Sequence, residues 1–205
     1  MYESKKKYLS EFAVNLISSR WLMISASQFM TGGSMRAAEQ QIANNCHIYL
    51  IGKIPIVSYC KKSFKYEDGI LSGKVNYRIE GELREKDFTF EFPLLDGAKK
   101  VILSKYPHRE VITLDENDNE IRFLPASTVC FGSGWHLENN ELSDIEILYV
   151  GQAYADGKRT AFERLKSHST LQKILAQAQY ESPDYEIQIL TFEYCPYRVI
   201  SQMDG

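Results

Sequence analysis

The stretch that decides the fold is ILYVGQAYADGKRTAFERLKSHSTL, residues 147–171. Residues 147–150 are apolar or aromatic and Gly151 follows them, which predicts a strand that ends in a glycine turn. After a short polar loop, helix-forming residues carry Arg164 and His168, which are four positions apart and therefore share one helix face. A phenol at Tyr149, a guanidinium and an imidazole at one strand-to-helix junction are groups that can handle a phosphodiester.

The bulk composition is that of an ordinary globular protein. The chain has 205 residues, of which 44% are hydrophobic and 25% charged, enough for one large domain or two small ones. We find no apolar run of roughly 18 residues that could span a bilayer. The cysteines are scattered and form no C-x-x-C pair, so neither a zinc site nor a redox motif is indicated. We therefore expect reduced cysteines and a cytoplasmic location.

The charge is unevenly distributed along the chain. The net charge of −3 argues against a strongly basic nucleic-acid binder. Residues 1–129 carry 18 Lys/Arg and 16 Asp/Glu, whereas residues 130–205 carry 6 and 11. Within the acidic C-terminal part, five basic residues cluster against Glu163 alone: Lys158, Arg159, Arg164, Lys166 and Lys173. This local basic cluster is compatible with phosphate contact.

The pattern of elements predicts an α+β protein. Helical apolar spacing covers residues 3–20, and a short helix is expected near residues 35–43. Alternating and β-branched runs predict short antiparallel strands from about 47 to 125, in a curved sheet or small barrel. After Pro125 we expect a hairpin of residues 128–137 with 145–151, a helix over 158–179 and a strand over 185–194. The predicted domains are residues 1–125, a helical start plus a β-rich region of unknown role, and residues 126–205.

The C-terminal part, roughly residues 130–195, resembles the GIY-YIG nuclease domain. That family has a strand with a G-I-Y motif, a second strand with Y-[IV]-G, and then a helix with an arginine and often a histidine four residues later. Tyr149-Val150-Gly151 matches the second motif, and Arg164 with His168 matches the helix in type and spacing. The resemblance implies a small strand-strand-helix-strand domain that hydrolyses phosphodiester bonds of DNA.

The resemblance also implies roles for individual residues. A phenolate-like tyrosine, either Tyr149 or the residue at the first-motif position, would take the proton from the attacking water. Arg164 would neutralise charge on the phosphate, and His168 would position the phosphate or assist proton transfer. No tyrosine stands shortly before Tyr149 where the first motif is expected, and the nearest counterpart there is His136. The nucleic-acid backbone would be held by three basic residues: Lys158, Arg159 and Lys166.

A metal-binding glutamate is the last implied group. It would hold a divalent ion, Mg²⁺ or Mn²⁺, and Glu193 is the candidate. The final helix of the family is not represented before Gly205, so we expect either a fragment that is incomplete at its C-terminus or a domain that does not cleave. The alternatives to a nuclease are a non-catalytic nucleic-acid or protein-binding module on the same fold, and an interaction protein whose residues 1–125 dock a protein partner.

Overall fold

The computed structural model describes residues 10–31, 37–129, 131, 140–153, 160–166 and 169–203. In chain order, its elements are β1 (Ser10–Ser25), α1 (Ala26–Thr31), α2 (Ala37–Asn45), β2 (Ile48–Pro55), β3 (Ser58–Tyr59), β4 (Lys65–Glu67), β5 (Ile70–Ile79), β6 (Glu82–Glu91), β7 (Lys100–Leu103), β8 (Glu110–Leu114), β9 (Glu120–Pro125), α3 (Ala126–Val129), a 3-10 turn (Asn140–Leu142), β10 (Glu146–Gln152), α4 (Ala161–Lys166), α5 (Ser169–Glu181) and β11 (Tyr185–Met203). The α+β class is confirmed. Among the described helices, none is long and apolar enough to cross a membrane.

The helix predicted over residues 3–20 is wrong for the part that the structure describes. From Ser10 onward the chain is the 16-residue strand β1. It pairs antiparallel with β11, from Ser10 opposite Met203 to Ser25 opposite Gln188. Helical spacing of apolar residues in a short segment does little to stabilise a helix by itself, because most of the stability of a helix in a protein comes from packing. The partner strand, which lies far away in sequence, decided the conformation.

Most of the other predicted helices and strands are present in the structure. The helix expected near residues 35–43 is α2, and the strands expected from 47 to 125 are β2 to β9. The helix expected over 158–179 appears as α4 and α5, with residues 158–159 and 167–168 outside the described part. The last predicted strand is confirmed as β11, which begins at Tyr185 and is longer than expected.

The chain divides into two compact units, and their boundaries differ from the predicted ones. Unit 1 consists of residues 1–52, 147–173 and 188–205, and unit 2 consists of residues 53–146 and 174–187. The main segment of unit 2, residues 53–146, is therefore inserted into unit 1 between Gly52 of β2 and Ile147 of β10, and its second segment, residues 174–187, lies between Lys173 of α5 and Gln188 of β11. The sequence expectation of two consecutive segments, 1–125 and 126–205, does not describe this arrangement.

Unit 2 contains two antiparallel sheets. The first is built on β5, which pairs with β3, β4 and β6, and the second has the order β7-β8-β9. The alternation expected at Phe88, Phe90 and Phe92 is present, because Phe88 and Phe92 are buried and Phe90 packs against the same cluster. Tyr59 lies edge-on to Phe88, with 5.4 Å between the ring centroids. This aromatic and aliphatic core identifies unit 2 as a folded body of its own.

Unit 1 is organised around a four-stranded sheet of order β1-β11-β2-β10. Its buried residues come from all three chain segments and include Ile51, Leu165 and Ile189. Phe29 of α1 meets Phe162 of α4 edge-on, with 5.3 Å between centroids. The sheet and these helices position the residues that the sequence singled out.

Candidate active site in unit 1

The strand that accompanies β10 is β2, not the segment 128–137 that the sequence suggested. β10 is hydrogen-bonded to β2 in the sheet, and the amide of Ala153 donates to the carbonyl oxygen of His47 at 2.7 Å. Residues 128 and 129 belong to helix α3, so the predicted hairpin strand is wrong there. His136, the expected counterpart of the first motif tyrosine, lies outside the described residues.

The position opposite the Tyr149 motif is occupied by a tyrosine that the sequence analysis missed, Tyr49. It is 1% exposed, and its ring lies directly over Gly151. A Cβ built on Gly151 would be 2.5 Å from the Tyr49 hydroxyl oxygen and 2.7 Å from its Cε2. Gly151 is thus required by the close approach of the ring, and this explains the glycine of Y-V-G physically.

A sequence signal for Tyr49 did exist. Ile48-Tyr49 opens a β-branched and aromatic stretch, which predicts a strand that carries a phenol. Nothing local connects this phenol with Tyr149, because the two tyrosines stand 100 positions apart. The insertion of unit 2 between them accounts for the separation.

Tyr49, Tyr149 and Arg164 form one hydrogen-bonded group. The Tyr49 and Tyr149 rings stack with 6.1 Å between centroids and 30° between planes. The Tyr49 side chain is hydrogen-bonded to both Tyr149 and Arg164. A guanidinium only donates, so the Tyr49 oxygen accepts from Arg164.

The surroundings of Tyr49 keep its hydroxyl protonated. Burial raises the pKa of Tyr49, the neighbouring Tyr149 raises it further, and the hydrogen bond from Arg164 acts in the opposite direction. At neutral pH Tyr49 is therefore a hydrogen-bond donor held in a fixed direction. Tyr149, in contrast, is only half-buried. Of the two phenols, Tyr149 is the one open to a ligand.

The helix that carries Arg164 starts with a capping box. The amide of Glu163 donates to the Thr160 hydroxyl at 3.2 Å, and the amide of Thr160 donates to the Glu163 carboxylate at 2.9 Å. The amide of Ala161 also donates to the carbonyl oxygen of Cys46 at 2.8 Å, which ties the start of α4 to the residues just before β2. These bonds fix α4, and hence Arg164, against the strand that bears Tyr49.

The remaining predicted site residues are placed as follows. Lys166 lies on α4 and is exposed. His168, Lys158 and Arg159 fall outside the described residues, so their roles stay predictions. The structure thus brings together Tyr149 and Arg164 as predicted, and adds Tyr49.

Glu193, the predicted metal ligand, is engaged in an ion pair. Arg20 Nε donates to Glu193 Oε2 at 2.6 Å and Arg20 Nη2 to Oε1 at 3.2 Å. The hydrogen bond from Arg20 holds the pKa of Glu193 below its usual value. A carboxylate gripped on both oxygens by a guanidinium fits a structural pair and does not fit a magnesium ligand unless that pair opens. Across the described ranges, no group of three or more His, Cys, Asp or Glu side chains could hold a metal.

The two units differ in charge. Unit 1 contains 11 Lys/Arg and 7 Asp/Glu, a net charge of +4, whereas unit 2 contains 13 and 20, a net charge of −7. The acidic C-terminal half that the linear sequence indicated is therefore split between the units. The tyrosines and Arg164 belong to the basic unit, which is the one electrostatically suited to a polyanion.

Comparison of the chain with protein-family models, with curated proteins and with solved structures found no match in any of the three.

Proposed function

We propose that unit 1 hydrolyses phosphodiester bonds of DNA, with Tyr149 and Arg164 acting on the reacting phosphate and Tyr49 positioning them both. The observation that carries the proposal is the hydrogen-bonded group of Tyr49, Tyr149 and Arg164, assembled from β2, β10 and α4. A buried tyrosine that has a raised pKa, stacks on a second tyrosine and is hydrogen-bonded to an arginine is the kind of titratable group that clusters at functional sites.

Each side chain has a distinct task in this proposal. In its deprotonated form, Tyr149 accepts the proton of the attacking water, because its oxygen is in a half-buried position and is hydrogen-bonded to Tyr49. Arg164 donates to the phosphate oxygens on which negative charge develops. Tyr49 stays protonated and holds the Tyr149 oxygen and the guanidinium at a fixed separation.

The net charge of unit 1 supports a nucleic-acid substrate. A charge of +4 attracts the phosphate backbone, and Lys166 on the exposed surface of α4 provides one contact next to Arg164. Lys158, Arg159 and His168 are proposed as further phosphate contacts from the sequence. Mg²⁺ or Mn²⁺ enters the proposal through the family resemblance alone, because the described residues contain no ligand set for either ion.

The test is cleavage of supercoiled plasmid DNA by the full chain, with Mg²⁺, with Mn²⁺ and with EDTA. Arg164→Ala and Tyr149→Phe are each expected to reduce nicking at least a hundredfold, by analogy with the loss of one transition-state donor, which costs about 10²–10³ in rate. The matched control is Lys99→Ala, which removes the same charge from an exposed position of unit 2. Equal nicking by Arg164→Ala and wild type would refute the mechanism.

The second candidate is a non-catalytic nucleic-acid-binding module. The basic charge of unit 1 favours it independently of the tyrosine geometry. It is supported if the folded protein binds a labelled oligonucleotide with an affinity that falls steeply with salt, and no metal ion yields cleavage. Salt-independent or absent binding would leave neither nucleic-acid proposal standing.

A further inference from the structure

Unit 1 carries a strip of aromatic residues on one face of its β1–β11 pair, which we call the aromatic strip: Trp21, Phe192 and Tyr194. Trp21 stands directly opposite Phe192 in the strand register. Phe192 and Tyr194 alternate along β11 and so share this face, and their ring centroids are 6.2 Å apart. Trp21 is 58% exposed and Tyr194 42% exposed.

The residues of the aromatic strip are not among the buried hydrophobic residues of unit 1. Farther along the same face of β11, Leu190 is 8% exposed and thus buried, whereas Phe192 is half-buried and Tyr194 is exposed. Large aromatic rings side by side on a surface mark a place where something binds. Among the described strands, β1 is an end strand of this sheet.

The charge of the unit selects the kind of ligand. Exposed aromatic rings stack well on nucleobases, because every base has a flat aromatic face. The aromatic strip lies on unit 1, whose net charge is +4, whereas the net charge of unit 2 is −7. A positively charged body with an aromatic surface fits a polyanion whose bases are unpaired, because paired bases keep their faces inside the helix.

The aromatic strip is also close to the strand that bears Tyr49. The order β1-β11-β2 places Trp21 two strand spacings from β2, roughly 10 Å across the sheet.

We propose that the aromatic strip stacks unpaired bases, so that unit 1 takes DNA with a single-stranded segment, such as a flap, gap or junction arm, rather than uninterrupted duplex. The inference rests on the proposed function, since it names the substrate class of the same unit. It assigns binding and selectivity to Trp21, Phe192 and Tyr194, and no step of the hydrolysis.

The test compares affinities of the full chain for a labelled single strand of thymidylates and for a duplex of equal length. Trp21→Ala and Tyr194→Ala are expected to weaken single-strand binding by about tenfold to a hundredfold, as expected when one stacked base is lost, with little change for duplex. Trp21→Phe should retain most of the affinity. Ile17→Ala is the matched control, since Ile17 is 53% exposed on β1 and pairs with Cys195 on the opposite face.

Quenching of tryptophan fluorescence by the single strand gives a second readout. The chain has two tryptophans, and the quenching should disappear in Trp21→Phe if the base lies on the Trp21 ring. Equal affinity of Trp21→Ala and Ile17→Ala, or equal affinity for single strand and duplex, would overturn the proposal. So would light scattering that shows a wild-type dimer and a Trp21→Ala monomer, because the aromatic strip would then be a self-association surface.

Cleavage assays separate this proposal from the one on which it rests. If Trp21→Ala loses single-strand binding while no variant cleaves DNA, the stacking stands and the hydrolysis fails. If Arg164→Ala abolishes cleavage while Trp21→Ala cuts flapped and duplex DNA at the wild-type ratio, the hydrolysis stands and the stacking fails.

Discussion

Replacing Gly151 by alanine tests the packing on which the site depends. The new methyl carbon would lie 2.5 Å from the Tyr49 hydroxyl oxygen and 2.7 Å from Cε2, far inside van der Waals contact. Tyr49 is 1% exposed, so its ring has no free volume into which to retreat. Overpacking of this kind costs about 1–3 kcal/mol. For a chain of this size that lowers the melting temperature by roughly 2–12 °C.

The consequence should reach activity as well as stability. A displaced Tyr49 ring would break its hydrogen bonds to Tyr149 and Arg164, so Gly151→Ala should lose DNA cleavage even where most molecules remain folded. Thermal unfolding followed by circular dichroism measures the change in melting temperature. Plasmid nicking at 25 °C measures the change in cleavage rate.

The controls isolate the ring contact. Val150→Ala changes a neighbour that is 63% exposed, and its effect on the free energy of unfolding should stay within about 0.5 kcal/mol. In a Tyr49→Leu background, Gly151→Ala should cost less than in the wild type, because the smaller side chain leaves room for the methyl group. A Gly151→Ala protein with wild-type melting temperature would refute the placement of Tyr49 over Gly151.

Three further predictions concern charge and capping. Thr160→Ala should destabilise unit 1 by about 1 kcal/mol through loss of the cap on Glu163, whereas Thr160→Ser should not, as measured by urea denaturation. The pKa of Glu193 is lowered, first by its hydrogen bond with Arg20, so this pair stabilises the fold above the pKa of the unfolded carboxyl, near ~4.3, and the contribution is lost as the pH falls through the folded pKa. The difference in the free energy of unfolding between wild type and Glu193→Gln should therefore disappear in acid. A difference that does not change with pH would contradict this. Burial raises the pKa of Glu110, so its charge disfavours folding increasingly as the pH rises through that pKa, and Glu110→Gln should raise the urea midpoint at pH 8 more than at pH 4.

Much of the local structure could be read from the sequence because its signals are local. The strand of Tyr149, the helix of Arg164 and the strand from Tyr185 each have their periodicity, caps and breakers within a few residues. The strand of Tyr149 was expected to end in a turn at Gly151, but Gly151 and Gln152 still belong to β10. The capping box of Thr160 and Glu163 is a pattern of this kind. These segments formed where they were expected, and with them two of the three residues of the candidate site.

The errors occurred where a distant partner decided the outcome. Residues 10–20 have helical spacing, yet they are a strand because β11 pairs with them across the sheet. Residues 128–137 were expected to pair with β10 because they are adjacent in sequence, but residues 128–129 are helical. Propensity and spacing are weak where a long-range hydrogen-bond ladder is available.

The sequence by itself determined that a phenol and a guanidinium meet at a strand-to-helix junction. Only the tertiary structure decided that a second phenol joins them, that Gly151 is there to make room for it, and that the basic charge belongs to this unit. The physical reason is the insertion of unit 2: it separates Tyr49 from Tyr149 by 100 positions along the chain, while strand pairing holds the two rings 6.1 Å apart. Strand pairing depends on hydrogen bonds and packing between segments, and these place no constraint on how much chain lies between them.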